Sequence, residues 1–195
     1  MKKFKNKYRI ASARLQNWDY GTDGAYFITI CTDKRQHFFG EIVMSKMELN
    51  QLGEIAHNIW AQIPDQFPYV ELGNFVIMPN HTHGILIINK LQTMPDNSIE
   101  APFLTPQSQS KVTNSENENI GGICGDKNPM LQENISRIIR WYKGRCSFEM
   151  RKINPDFNWQ TRFHDHVIRN SRAFDTIQNY IEANPLKWKE DKFHL

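Results

Sequence analysis

Two histidines one residue apart carry the sharpest chemical signal in this chain. They lie in Met78-Pro79-Asn80-His81-Thr82-His83-Gly84. Pro79-Asn80 is a turn signal, and the residues that follow are β-branched and apolar, so His81 and His83 fall on a strand. Strand residues two apart face the same way, so both imidazoles project from one face. At that spacing they can chelate one divalent ion, Mn or Zn among others. The bland alternative is one solvated and one packed histidine beside a turn. Thr82 points to the opposite face, and Gly84 lets a neighbouring group come close to the strand.

A second group is Asn179-Tyr180-Ile181-Glu182-Ala183-Asn184-Pro185. Tyr180 and Asn184 are four apart on a helical pattern and therefore share a face. A phenol can act as a nucleophile, and a carboxamide oxygen can ligate a metal or orient a neighbour. The same residues also read as a core tyrosine and a helix end before proline. A third group runs from Trp159 to Arg169, where His164 and His166 repeat the two-residue spacing around Asp165. It offers a rival metal site. The flanks Trp159, Phe163, Val167 and Ile168 look like packing anchors, so a loop with a structural or substrate-contact role is the preferred reading, with Arg162 and Arg169 facing phosphate.

Tyr142 lies on an apolar helical stripe and reads as packed, as does Cys146. Arg137, Arg140 and Lys143, on other faces of the same helix, read as phosphate contacts. The chain holds no Gly-rich phosphate loop, no Gly-x-Ser-x-Gly and no His-Glu-x-x-His. ATPase, Rossmann enzyme, serine hydrolase and zincin are therefore unsupported.

The elements that must position these groups follow from periodicity. Ala25 to Thr32 is a strand, and His37 to Met44 a second that pairs with it as a hairpin. Leu52, Ile55, Ala56, Ile59, Trp60 and Ile63 recur at three and four and mark an amphipathic helix, which Pro64 ends or kinks. Val70 to Met78 and His81 to Ile88 are strands. Residues 90–130 are rich in Pro, Ser, Asn, Gln and Gly, and read as a flexible insert. Ile135, Ile138, Ile139 and Tyr142 mark a second helix. A linking segment precedes a third, marked by Phe174, Ile177, Tyr180 and Ile181 and stopping near Pro185. The expected fold is α+β, an antiparallel sheet flanked by helices in a ferredoxin-like or RNA-recognition-like arrangement.

The 195 residues are 39% hydrophobic with a net charge of +3. That length and composition suit a single domain with a real core, taken here as residues 1–195 with a basic arm over 1–17. No run reaches the roughly 20 apolar residues of a membrane span, and the charged first residues lack the apolar core of a signal peptide. Three scattered cysteines fit a reducing cytoplasm. Basic residues concentrate in two places. One is Lys2, Lys3, Lys5, Lys7, Arg9 and Arg14. The other is Arg137 to Lys152, with only Glu149 to offset it. Two such segments suggest a polyanion partner.

Four pieces in order carry a family resemblance: Tyr26-Phe-Ile-Thr-Ile-Cys, Phe75-Val-Ile-Met-Pro-Asn-His-Thr-His-Gly, Trp159-Gln-x-Arg-Phe-x-Asp-His-x-Ile-Arg and Tyr180-Ile-x-x-Asn-Pro. Together they resemble the single-tyrosine HUH transposases, in the REP-associated tyrosine transposase branch of the IS200-like family. The likeness spans about Trp18 to Trp188, interrupted by the insert. The family usually has a bulky apolar residue where Thr82 stands, and many relatives continue further beyond Trp188.

The resemblance implies a DNA transposase and single-strand nuclease. His81, His83 and Asn184 would hold a divalent metal, Mg²⁺ or Mn²⁺, and Tyr180 would be the nucleophile. Cleavage beside a DNA hairpin would leave a 5′-phosphotyrosine and a free 3′-OH, which can be rejoined without ATP. Lys3, Lys5, Arg9, Arg14, Arg137, Arg140, Lys143, Arg162 and Arg169 are the expected DNA contacts. The protein would act as a monomer or homodimer, away from membranes. The alternatives are a hairpin-binding protein of the same fold that no longer cuts, and a metal-dependent phosphodiesterase using water. A tyrosine adduct separates all three.

Overall fold

The computed structural model describes residues 3–4, 7–8, 18–90 and 133–194. Eight strands and four α-helices follow in chain order. They are β1 (Lys3–Phe4), β2 (Lys7–Tyr8), β3 (Gly24–Cys31), β4 (Gly40–Val43), β5 (Lys46–Leu49), α1 (Gln51–Ala61), α2 (Ile63–Gln66), β6 (Val70–Met78), β7 (His81–Ile88), α3 (Ile135–Met150), β8 (His164–Ile168) and α4 (Ser171–Ala183). The short β1 and β2 pair with each other. Of the basic arm, Lys5, Arg9 and Arg14 lie outside the described residues, as does the insert from residue 91 onward.

The central sheet has the order β6-β7-β3-β8, and every neighbouring pair is antiparallel. With α1 between β3 and β6, and α3 between β7 and β8, this is the β-α-β-β-α-β order of a ferredoxin-like fold. The expected α+β class is what the chain adopts.

Alternation along β3 sorts the sheet's two faces. Tyr26, Ile28 and Ile30 point into the main core, where they meet Ala56, Ile59 and Trp60 of α1 and Ile135, Ile138, Ile139 and Tyr142 of α3. Phe27, Thr29 and Cys31 point the other way. On that second face α4 covers one half, its Ile181 packing with Ile85 and Ile168. The other half meets a C-terminal turn in which Trp188 and Phe193 pack on Met78. Asparagine side chains cap the three long helices: Asn50 accepts from Leu52 N–H, Asn134 from Arg137 N–H and Asn170 from Ala173 N–H. Each such cap contributes about 1 kcal/mol.

Two expectations are corrected. The segment His37–Met44 does not form a hairpin with β3. Only Gly40–Val43 is strand, and it pairs with β5, an element that periodicity did not suggest. The turn between them is Met44-Ser45, with φ of 47° and 63°. That left-handed pair is normally signalled by Asn-Gly, so the sequence hid it. The segment between the second and third expected helices is also more than a link. It holds β8, which adds to the free edge of β3 through pairs such as Phe27–His166 and Thr29–His164. Pro64 behaves as expected, ending one helix and sitting in the first turn of the short α2.

Candidate active site

His81 and His83 come from the start of β7. Their cross-strand partners on β3 are Cys31 and Thr29, so both imidazoles stand on the half-covered face. Thr82, opposite Ile30, faces the helices. Both histidines are buried, at 0% and 1% exposure, with ring centroids 4.4 Å apart.

Asn80 decides which His81 nitrogen is free. Its amide nitrogen donates to the carbonyls of Arg35 and Phe193, at 3.2 and 2.9 Å. Its oxygen is thereby left as an acceptor, 2.9 Å from His81 Nδ1. His81 must therefore carry its proton on Nδ1, and its Nε2 lone pair faces the site. That Nε2 is buried with no hydrogen-bond partner. Thr29 holds the His83 ring, its Oγ1 2.9 Å from Nδ1, through a hydroxyl that can donate or accept.

Burial and the nearby Arg35 and Lys192 cations push His81 down to about 3. Burial, then His81, holds His83 well below the ordinary histidine range. Both imidazoles are thus neutral at physiological pH, the form that binds metal.

The last turn of α4 supplies Tyr180, whose hydroxyl lies 3.3 Å from His83 Nε2. A donated phenol proton and a donated His83 Nδ1–H satisfy this pair together. Phe27 sits edge-on to Tyr180, with centroids 6.0 Å apart, and steadies both rings. Tyr180 is 40% exposed, open to a substrate. Burial, then Asp191, raises its pKa. The rival Tyr142 is fully buried, donates to the Ala56 carbonyl and is pushed well above the usual phenol range by burial. Cys146 is also buried, and burial raises its thiol pKa.

Asn184 follows α4 directly and is buried. Its amide donates to Asp191 at 3.0 Å, and its Oδ1 has no partner. Asp191 follows a short 3₁₀ turn, Trp188–Glu190. Its other oxygen accepts from Phe193 N–H. Ligand atoms of His81, His83 and Asp191 all lie within 4.8 Å of one another, the one such group among the described residues. Two orphaned buried acceptors, two neutral imidazoles and a carboxylate fit a divalent cation of mixed nitrogen and oxygen preference, such as Mn²⁺.

Sequence reasoning missed Asp191 and read Asn80 only as a turn former. Nothing in Lys-Glu-Asp-Lys distinguishes Asp191 from a solvated charge.

The remaining expected residues are spread more widely. Arg162 and Arg169 flank β8 and are exposed, as are His164 and His166 on it. Arg137 and Arg140 are exposed on α3, whose apolar side packs on the opposite face of the sheet. The Lys143 amine donates to the carbonyls of Gln160 and Arg162, at 2.6 and 3.2 Å, and so pins the turn before β8. Lys3 belongs to the short β1.

Comparison with known proteins finds a relative by sequence and similar solved structures. An uncharacterized protein of Haemophilus influenzae is 32% identical over 185 residues, covering 94% of this chain and 92% of that protein. The solved structure of a REP-associated tyrosine transposase bound to a REP hairpin superposes with a TM-score of 0.54 at 17% identity, covering 93% of this chain and 77% of the other. At that identity the likeness is one of fold. No family model matches the chain.

Proposed function

We infer the function from one premise: the chain belongs to the same family as the Haemophilus influenzae protein, and its fold is that of the REP-associated tyrosine transposase. The reading its site supports best is a DNA transposase that cleaves and rejoins single-stranded DNA beside a hairpin. The observation that carries it is the meeting of Tyr180 with the His81–His83 pair, with the phenol 3.3 Å from His83 and half open to solvent. All of these groups come from one chain.

In the proposed reaction the Tyr180 oxygen attacks the scissile phosphorus in line. A phosphorus–oxygen bond forms, and the bond from phosphorus to the 3′ oxygen breaks. The electron pair leaves with that oxygen, which ends as a 3′-hydroxyl, while the phenol loses its proton. The product is a 5′-phosphotyrosine, and nothing is oxidised or reduced. Because the phosphodiester is exchanged rather than hydrolysed, a second 3′-OH can reverse the step without a nucleotide cofactor.

An unactivated phenol has a pKa near 10 and is a weak nucleophile. His81, His83, Asn184 and Asp191 would hold a divalent cation, Mn²⁺ or Mg²⁺, which when bound neutralises charge on the phosphate and makes its phosphorus more electrophilic. Asn80 keeps the His81 lone pair turned to the site, and Thr29 holds the His83 ring. Phe27 fixes the approach of the phenol.

Single-stranded DNA fits better than duplex because a lone strand can lay its backbone along basic residues and stack its bases on aromatic side chains. Arg162, in the turn before β8 and against the same cavity as Thr29 and Cys31, is the nearest expected contact, and Arg169 follows the opposite end of that strand. Lys143 holds the turn that carries Arg162, while Arg137 and Arg140 on α3, with Lys3, Lys5, Arg9 and Arg14 of the N-terminal arm, are expected to meet the hairpin elsewhere.

The test is a labelled hairpin oligonucleotide with a single-stranded flank, incubated with Mn²⁺ and run on a denaturing gel. A protein–DNA adduct present in the wild type and absent in Tyr180→Phe is the expected result. Cleavage that survives Tyr180→Phe would indicate a water nucleophile. Binding with no cleavage would indicate a silent binder. Either outcome overturns the proposal.

A further inference from the structure

Next to the histidine pair, on the same face, lies a cavity of about 360 Å³. Thr29, Cys31, Arg35, Arg162, Phe163 and Lys192 form most of its wall, and none of the described residues lining it is acidic. It adjoins the site directly. Thr29 is the residue that orients His83, and Phe193, also in the wall, stacks 4.5 Å from the His81 ring.

Three cations from distant parts of the chain meet here, each held by the fold. Arg35 donates through Nη1 to the Lys192 carbonyl and lies 4.7 Å above the Phe193 ring. Lys192 Nζ lies 4.9 Å from the same ring. Arg162 sits at φ 76°, a left-handed backbone that residues other than glycine seldom adopt, in the turn that Lys143 pins through two carbonyls. Three positive charges gather around one opening whose own wall holds no carboxylate, Asp191 standing in the neighbouring histidine site, and such a wall attracts an anion. The volume is at the lower end of the roughly 300–1,000 Å³ range of small-ligand pockets, which suits one nucleotide rather than a duplex.

We propose that this cavity seats one nucleotide of the single strand immediately beside the reacting phosphate. Arg35, Arg162 and Lys192 hold its phosphate, and its base lies against Phe163. The inference rests on the single-strand reading above and deepens it by naming where the strand is gripped. It assigns Arg35 and Lys192, which the sequence did not mark, to DNA contact.

The experiment measures binding of a fluorescent single-stranded oligodeoxynucleotide by anisotropy, in EDTA, across a salt series. For the wild type the logarithm of affinity falls with the logarithm of salt. Arg162→Gln and Lys192→Gln should each weaken binding several-fold and flatten that slope by a part of about 0.7, the value for one whole phosphate contact on a single strand, because the three cations share that phosphate. Phe163→Leu should weaken binding roughly tenfold with the slope unchanged, because a stacked base releases no counterion. Lys46→Gln, an exposed cation on β5 outside the cavity, is the control and should leave both unchanged.

Wild-type slopes in both Arg162→Gln and Lys192→Gln would overturn the pocket assignment. The tyrosine adduct, measured separately, would still stand. A wild type that binds no single strand would overturn the assignment together with the reading on which it rests.

Discussion

In the proposed chemistry Asn80 acts through His81 alone. Its carboxamide is locked by two carbonyls, so it can only accept from His81 Nδ1. Removing such an orienting partner typically costs 10- to 100-fold in metal affinity. Asn80→Ala should therefore weaken Mn²⁺ binding by about that factor in isothermal calorimetry. A loss below threefold would mean that strand geometry alone aims the imidazole. Tyr180→Phe should behave in the opposite way. The phenol lies 3.3 Å from His83 Nε2, so a cation taking that nitrogen must displace it. The variant should bind Mn²⁺ at least as tightly as the wild type, even as adduct formation disappears. At this scale the sequence was informative where spacing is local. Histidines two apart on a strand, and Tyr180 with Asn184 one helical turn apart, can be read without coordinates. Asp191 could not be read, because its role depends on a turn folding back across the sheet.

Gly84 ties the site strand to the helical layer. A Cβ at that position would overlap the Trp60 ring and come within 2.9 Å of Phe75 Cβ. The close approach foreseen at this glycine is thus a core contact. Gly84→Ala should destabilise the fold by roughly 1–3 kcal/mol through overpacking, measured by urea unfolding. The β4–β5 turn predicts a change of the other sign. Met44 is 93% exposed and held in left-handed backbone beside Ser45, in the same conformation. Met44→Asn with Ser45→Gly should raise stability by about 1–2 kcal/mol, since ordinary side chains pay that much for such backbone. The two elements misread from sequence share a cause. The β4–β5 hairpin lacks its turn signature, and β8 is a five-residue edge strand whose exposed positions carry histidines. In both the local sequence leaves the pairing unmarked, in β4–β5 for want of a turn signal and in β8 because its partner β3 is remote in the chain. The long strands and helices were legible because their burial repeats at two or at three and four.

The molecule as a whole carries two neutral histidines in its interior, which couples its stability to acidity. A free histidine titrates near pH 6.5. Below that, the unfolded chain takes up protons that the folded chain refuses, until about 3 for His81. Stability must therefore fall as pH drops below 6.5, by up to about 1.4 kcal/mol per pH unit for each buried imidazole. Urea unfolding in EDTA should show a weaker fold at pH 5.0 than at pH 7.5. The double variant His81→Gln, His83→Gln should flatten that dependence, and an unchanged slope would contradict the burial. The same interior has a consequence for the order in which the chain is made. A ribosome releases His81 and His83 about a hundred residues before Tyr180, Asn184, Asp191 and Phe193, the groups that close over them. A nascent chain that has not yet reached Tyr180 holds two imidazoles with nothing opposite them, so any cutting power waits for the segment from Tyr180 to Phe193 to emerge.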